Sequence, residues 1–205
     1  MTDVDFRFCD EQEFGFGWEV EDELLHRTSH ALAADGGVWL VDPVDVPEAI
    51  ERARRLGELR AVVQLIDRHN RDCEALAERL GVLHFNVPMF GVPHSPFEVV
   101  TVADTRLWRE VALWLPEQRA LVCGDALGTL PYFLAPGDRI GVHPLLRMTP
   151  PRVLVAYEPR HILVGHGEGL HGDEATRALQ HALASARRQL PRTLLRSIRG
   201  LVRRG

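Results

Sequence analysis

The chain has 205 residues, 45% of them hydrophobic and 26% charged, and carries a formal net charge of −5. That length can bury a core without disulfide or metal staples, and that composition excludes a disordered segment. The acidic balance leaves no bulk electrostatic case for binding nucleic acid. Phe14, Phe16, Trp18 and Val20 alternate with Gly15, Gly17 and Glu19, a period of two that predicts a strand over 13–20. Strands are expected next over 29–34 and 38–41, with Asp35-Gly36-Gly37 as their hairpin turn. Pro47 opens a helix over 48–56 that Gly57 ends. A buried strand over 60–66, a helix over 72–80 stopped by Gly81, and a short strand over 82–87 follow. Three more strands are read over 99–103, 111–115 and 120–123. The stretch from Leu130 to Pro151 is rich in proline and too long for a plain connector, so it is expected to line a site. A strand over 162–164 and a helix over 173–190 close the pattern. Short buried strands alternating with helices indicate an α/β layered domain.

Cys9, Cys73 and Cys123 form no Cys-x-x-Cys pair, and their odd number argues against a disulfide framework. The acidic start, Met1 to Asp5, lacks the basic and apolar regions of a signal peptide. No apolar stretch approaches the roughly 20 residues of a membrane span. A cytoplasmic protein without a transmembrane segment is expected.

Two strand ends in the second half carry the chemistry. Ala120-Leu121-Val122-Cys123 stops at Gly124 and presents Asp125; His161-Ile162-Leu163-Val164 stops at Gly165 and presents His166. Each apolar run has the length of a buried strand, and the glycine lets the chain turn at its carboxyl end. An Asp and a His delivered from two strands are what a metal site or an acid–base pair needs. An ordinary polar turn would give the same local pattern at either one.

In this order the two motifs resemble the fourth and fifth motifs of the metallo-β-lactamase-fold superfamily. Upstream, Gly36 to Pro43 is similar to the family's early strand ending in Asp-Pro, where Asp42 would tie down the ligand loop. Asp67-Arg68-His69-Asn70-Arg71-Asp72-Cys73 stands where the family carries its His-x-His-x-Asp-His motif. The resemblance covers roughly residues 14 to 180 and implies a four-layer αββα sandwich. Its domain would be residues 1–190, followed at 191–205 by a basic amphipathic helix docked on it. In that last segment Leu194, Leu195, Ile198, Leu201 and Val202 recur at helical spacing among arginines. A membrane or partner surface is the other use of such a helix.

Carried over residue by residue, the resemblance implies Asp67, His69, Asp104 and Asp125 at a first metal position, and Asp72, His166 and Asp125 at a second. Arg71 falls where the family has an Asp and would put a fixed positive charge near the second ion. The expected cofactor is therefore one divalent ion, zinc, iron or manganese, or none. Asp125 and His166 are the expected catalytic residues, in a hydrolase acting on a small ester-like or thioester substrate. The other reading is a non-catalytic relative of the fold, in which Arg71 and the carboxylates form an ion-paired relic and the protein binds a small molecule.

Overall fold

The computed structural model describes residues 5–21, 26–68 and 72–202, with side chains described as far as 189 in the last helix. Six strands form the first sheet: β1 (Phe6–Gln12), β2 (Gly15–Val20), β3 (Arg27–Ala34), β4 (Gly37–Val41), β5 (Glu58–Gln64) and β6 (Leu83–Asn86), in that order. The first four run antiparallel; β4, β5 and β6 are parallel, joined by helices α1 (Pro47–Leu56) and α2 (Cys73–Leu80). The second sheet contains β7 (Glu98–Thr105), β8 (Trp108–Leu115), β9 (Ala120–Cys123), β12 (His161–Val164) and β13 (Leu170–His171), in the spatial order 13-12-9-8-7. Between β9 and β12, β10 (Leu127–Gly128) and β11 (Gly141–Val142) form a small ladder of their own. Helix α3 (Ala175–Val202) ends the chain.

Three apolar layers hold these elements together. Leu32, Trp39, Val63, Val111, Leu113 and Leu163 pack between the sheets. Ile50, Ala53, Leu76 and Ala77 seat α1 and α2 on the outer face of the first sheet, beside Trp18. Leu179, Ala182, Leu183 and Ala186 seat α3 on the outer face of the second. This is the four-layer αββα sandwich that the family resemblance implied.

Local chemistry explains most element ends. The β3–β4 turn places Asp35 at φ 48° and Gly36 at φ 74°, the paired positive φ values of a type I′ hairpin. Gly81 closes α2 in the left-handed region at φ 70°. Gly57 ends α1 for a different reason: it is extended, and a Cβ there would sit 2.5 Å from the Gly36 carbonyl oxygen. The sequence reading misses β1, whose apolar alternation lasts only from Phe6 to Phe8 before the polar run Asp10-Glu11-Gln12. It also ends the last helix at Leu190, whereas α3 runs unbroken through Pro191 to Val202. A proline removes one helical amide donor, but the helical spacing of apolar residues continues on both sides of it.

Candidate functional site

Parallel pairing of β9 with β12 builds the site. Val122 lies opposite Leu163 and Cys123 opposite Val164, so the two glycine turns emerge side by side, and the Gly165 amide donates to the Gly124 carbonyl at 3.1 Å. Asp125 and His166 meet there, with His166 Nε2 2.9 Å from Asp125 Oδ1 and both side chains about nine-tenths buried. The other ring nitrogen, Nδ1, lies 2.7 Å from the backbone carbonyl of His26. A carbonyl only accepts, so Nδ1 carries a proton. The Nε2 lone pair of a neutral ring would then face a carboxylate oxygen. A proton shared between Nε2 and the carboxyl oxygen, or a metal ion held by both, satisfies that contact.

The turn that carries His166 is held from the first sheet. The Thr28 amide donates to the Gly165 carbonyl at 2.9 Å and its hydroxyl to the Gly167 carbonyl at 2.9 Å. Gly167 is at φ 93°, and a Cβ there would meet the Thr129 hydroxyl at 2.4 Å, so conformation and space both require glycine. Behind His26 stands the buried carboxylate of Glu19, 3.1 Å from His26 Nδ1 and paired with Arg7.

Asp125 has its own support in Glu110, which is fully buried. Glu110 Oε1 accepts from the Ala126 amide at 2.9 Å and Oε2 from the Trp108 indole at 2.7 Å. Glu110 sits where the two sheets touch: Ile66 bridges to Glu110, and the Val111 amide donates to the Leu65 carbonyl at 2.9 Å. Asp42 fixes the end of β5 at the same place, Oδ1 accepting from the Leu65 amide at 2.9 Å. That is the structural role expected for it.

The loop from Leu130 to Pro151 lines the pair. Phe133 stacks on the His166 ring with centroids 5.9 Å apart, and His143 packs against Phe133, Tyr132 and Trp108. Burial pushes the His143 imidazole down to about 4 against the upward pull of the Asp125 charge, so it is neutral at physiological pH. Burial, and then Asp125, raise the Tyr132 hydroxyl. Arg147 anchors the loop: it is buried and donates to the carbonyls of Val142 (3.1 Å) and Phe133 and to Gln189 Oε1 (3.3 Å).

Of the remaining residues implied as metal ligands, those described have polar contacts of their own. Asp67 is exposed, with Arg68 Nε 3.8 Å away. Asp72 accepts from the Asp45 amide at 2.8 Å, and Asp104 pairs with Arg109 across the β7–β8 ladder at 3.4 Å. His69 and Arg71 lie outside the described residues. Among the described residues no group of three or more His, Cys, Asp or Glu side chains converges as a metal site. Sequence reading gave no role to His26 and His30, left His171 to a helix-cap loop and did not single out Glu110 or His143. Their signals are tertiary. Only Glu110, a carboxylate inside an apolar strand, carries a local signal that could have found it.

The structure resembles solved metallo-β-lactamases. DIM-1 metallo-β-lactamase, in a crystal exposed to ceftazidime, superposes with a TM-score of 0.62 over 90% of this chain and 99% of its own, at 14% identity. The metallo-β-lactamase of Pontibacter korlensis gives 0.61 over 89% and 99% at 13% identity. That of Erythrobacter litoralis gives 0.59 over 88% and 96% at 15% identity. By sequence the chain matches no family model and no curated protein. The protein thus has the metallo-β-lactamase fold, and at these identities the likeness speaks for the fold alone. Among the described residues no helix is long and apolar enough to cross a membrane.

Proposed function

We propose that the protein is a hydrolase of small ester-like or thioester substrates, with Asp125 and His166 as its working pair. The contact between His166 Nε2 and Asp125 Oδ1, with Nδ1 committed to a carbonyl, carries this reading. In the protonated pair, the Asp125 carboxylate takes a proton from water as its oxygen bonds to the acyl carbon. The bond to the leaving oxygen or sulfur breaks, and His166 supplies the proton that leaving group needs. Transfer across the 2.9 Å contact returns the proton from Asp125 to His166. The fixed Nδ1 bond holds the ring in place, Glu110 holds the Asp125 turn, and Phe133 shields the imidazole from water. Where a divalent ion binds, Asp125 and His166 are the described side chains that would hold it, and it would supply Lewis-acid activation of water or carbonyl.

A second reading is a binding protein on the same fold. It is favoured by the separate partners of Asp67, Asp72 and Asp104. One experiment addresses both. Metal content is measured by inductively coupled plasma mass spectrometry on protein purified without a metal column, beside an ester and thioester screen, for the native protein and Asp125→Ala. Turnover lost in the variant supports the hydrolase, and a bound equivalent of metal lost with it adds the ion. Turnover absent from the native protein, with and without added zinc, iron or manganese, sinks the hydrolase reading.

A further inference from the structure

We propose that His161 and His171 form a metal site of their own, which takes zinc or a like divalent transition-metal ion where β13 meets the first sheet. The two residues stand opposite each other in the antiparallel β12–β13 pair, and their Nδ1 atoms lie 3.1 Å apart. The ring centroids are 5.3 Å apart with planes at 52°, so the rings meet nitrogen to nitrogen and do not stack. Two zinc–nitrogen bonds of about 2.0 Å at the tetrahedral angle put their nitrogens about 3.3 Å apart, within roughly 0.2 Å of the spacing the strands already set. The place is distinct from the Asp125–His166 pair. His161 opens β12 and His166 follows its other end, and a strand rises about 3.3 Å per residue between them.

The His171 ring is held the way a metal-bound histidine is held. Its Nε2 donates to Asp10 Oδ1 at 2.9 Å, which makes Nε2 the protonated nitrogen and leaves Nδ1 of a neutral ring with a lone pair toward His161. A carboxylate behind a histidine fixes the ring and raises its basicity as a ligand. Asp10 is fixed in turn by the Gly169 amide at 2.8 Å. Burial, then His171 and Arg160, lower the pKa of His161, and an imidazole must be neutral to bind a metal. The charge of Asp10 points the same way. Its side chain is 2% exposed, and its partners are Gly169, His171, His30 and the Cys9 thiol, with no arginine bonded to it among the described residues. A carboxylate so buried needs positive charge close by, and an ion on the other nitrogen of His171 supplies it. The His171 side chain is 28% exposed, so water can complete the coordination. Imidazole ligands suit zinc, copper and nickel, whereas calcium and magnesium prefer oxygen. An ion here would brace β12 to β13 and, through Asp10, to β1.

The test is calorimetric titration of zinc and of nickel into untagged protein, native and Asp125→Ala, the latter removing the carboxylate of the other pair. The proposal expects one ion per chain to remain bound in Asp125→Ala. Adding His161→Phe to that variant keeps a ring against Phe14, which packs edge-on to His161, and should weaken binding at least about tenfold through loss of a ligand. Asp10→Asn, with its fold checked by circular dichroism, should weaken it by about 10–100-fold, as loss of a carboxylate behind a ligand does. Nitrogen-15 resonances of the His161 and His171 rings should shift on adding zinc to the native protein, a readout that needs no variant. Binding that Asp125→Ala abolishes overturns the proposal and assigns the ion to the Asp125–His166 pair. Binding unchanged by His161→Phe overturns it as well. So does failure of either ion to bind or to move the two ring resonances, which would leave the histidines joined by a hydrogen bond from His161 Nδ1.

Discussion

Two residues decide how well the candidate pair is held. Glu110 is buried with both oxygens engaged, one by the Ala126 amide beside Asp125 and one by the Trp108 indole. Glu110→Ala leaves both donors buried without this acceptor and should cost about 3 kcal/mol in urea unfolding, whereas Glu110→Gln, which keeps one acceptor oxygen, should cost roughly half as much. Equal costs for the two would show that neither the retained volume nor the single acceptor oxygen of Gln helps, and that only the full carboxylate satisfies the site. His143 gives a pH test. Burial, opposed by Asp125, holds its pKa at about 4. Between pH 6.5 and about 4 the unfolded chain therefore binds a proton that the folded chain refuses, and stability falls as pH drops through that window. A histidine resonance still titrating near pH 4 in the folded protein, and absent from His143→Gln, is the expected nuclear magnetic resonance signature. Titration of His143 near its ordinary value would mean that the loop is open to water.

At the scale of elements, the informative joint lies between the first hairpin and the last strands of the second sheet. Asp10, at φ 51° in β1, receives bonds from the Gly169 amide at 2.8 Å and from His171 at 2.9 Å, and lies 3.3 Å from His30 Nε2. Its carboxylate is 2% exposed. Burial alone would raise its pKa, but the bonds to His171 and His30 outweigh that and hold it well below the usual carboxylate range. The joint pins β13 and the residues just after His166 to the first sheet. Asp10→Asn should lose about 2 kcal/mol at neutral pH. Because the native carboxyl is depressed, its contribution is complete above the ordinary carboxylate pKa near 4 and declines as pH falls below it. The difference between variant and native protein should therefore shrink toward pH 3 in chemical denaturation. A difference constant from pH 7 to pH 3 would mean that packing and not charge makes the joint.

Across the whole molecule, the two sheets share one apolar layer and touch directly where Ile66 meets Glu110. Neither sheet keeps that face dry alone, so unfolding should be a single cooperative transition. Leu113→Ala, in the middle of that layer, should cost about 2–5 kcal/mol. Far-ultraviolet circular dichroism and tryptophan fluorescence should follow one curve, since Trp39 lies in the shared layer while Trp18 lies beneath α1. Separate transitions would show the sheets to be independent units.

The sequence alone determined the elements whose signals are local. Period-two alternation placed β2, turn residues placed the β3–β4 hairpin, and Pro47 and Gly81 bounded helices, because backbone sterics act within a few residues. It also singled out Asp125 and His166, since a glycine ending an apolar run marks a strand end wherever it occurs. Only the tertiary structure decided that these two residues meet, because the parallel register of β9 and β12 pairs positions some forty residues apart. It alone decided that Asp67, Asp72 and Asp104 turn to other partners, and that Glu110, His143 and the His26 carbonyl surround the pair. A residue type and its spacing fix which chemistry a side chain can perform. Its neighbours, which set its charge and its partners, come from segments that no local pattern connects.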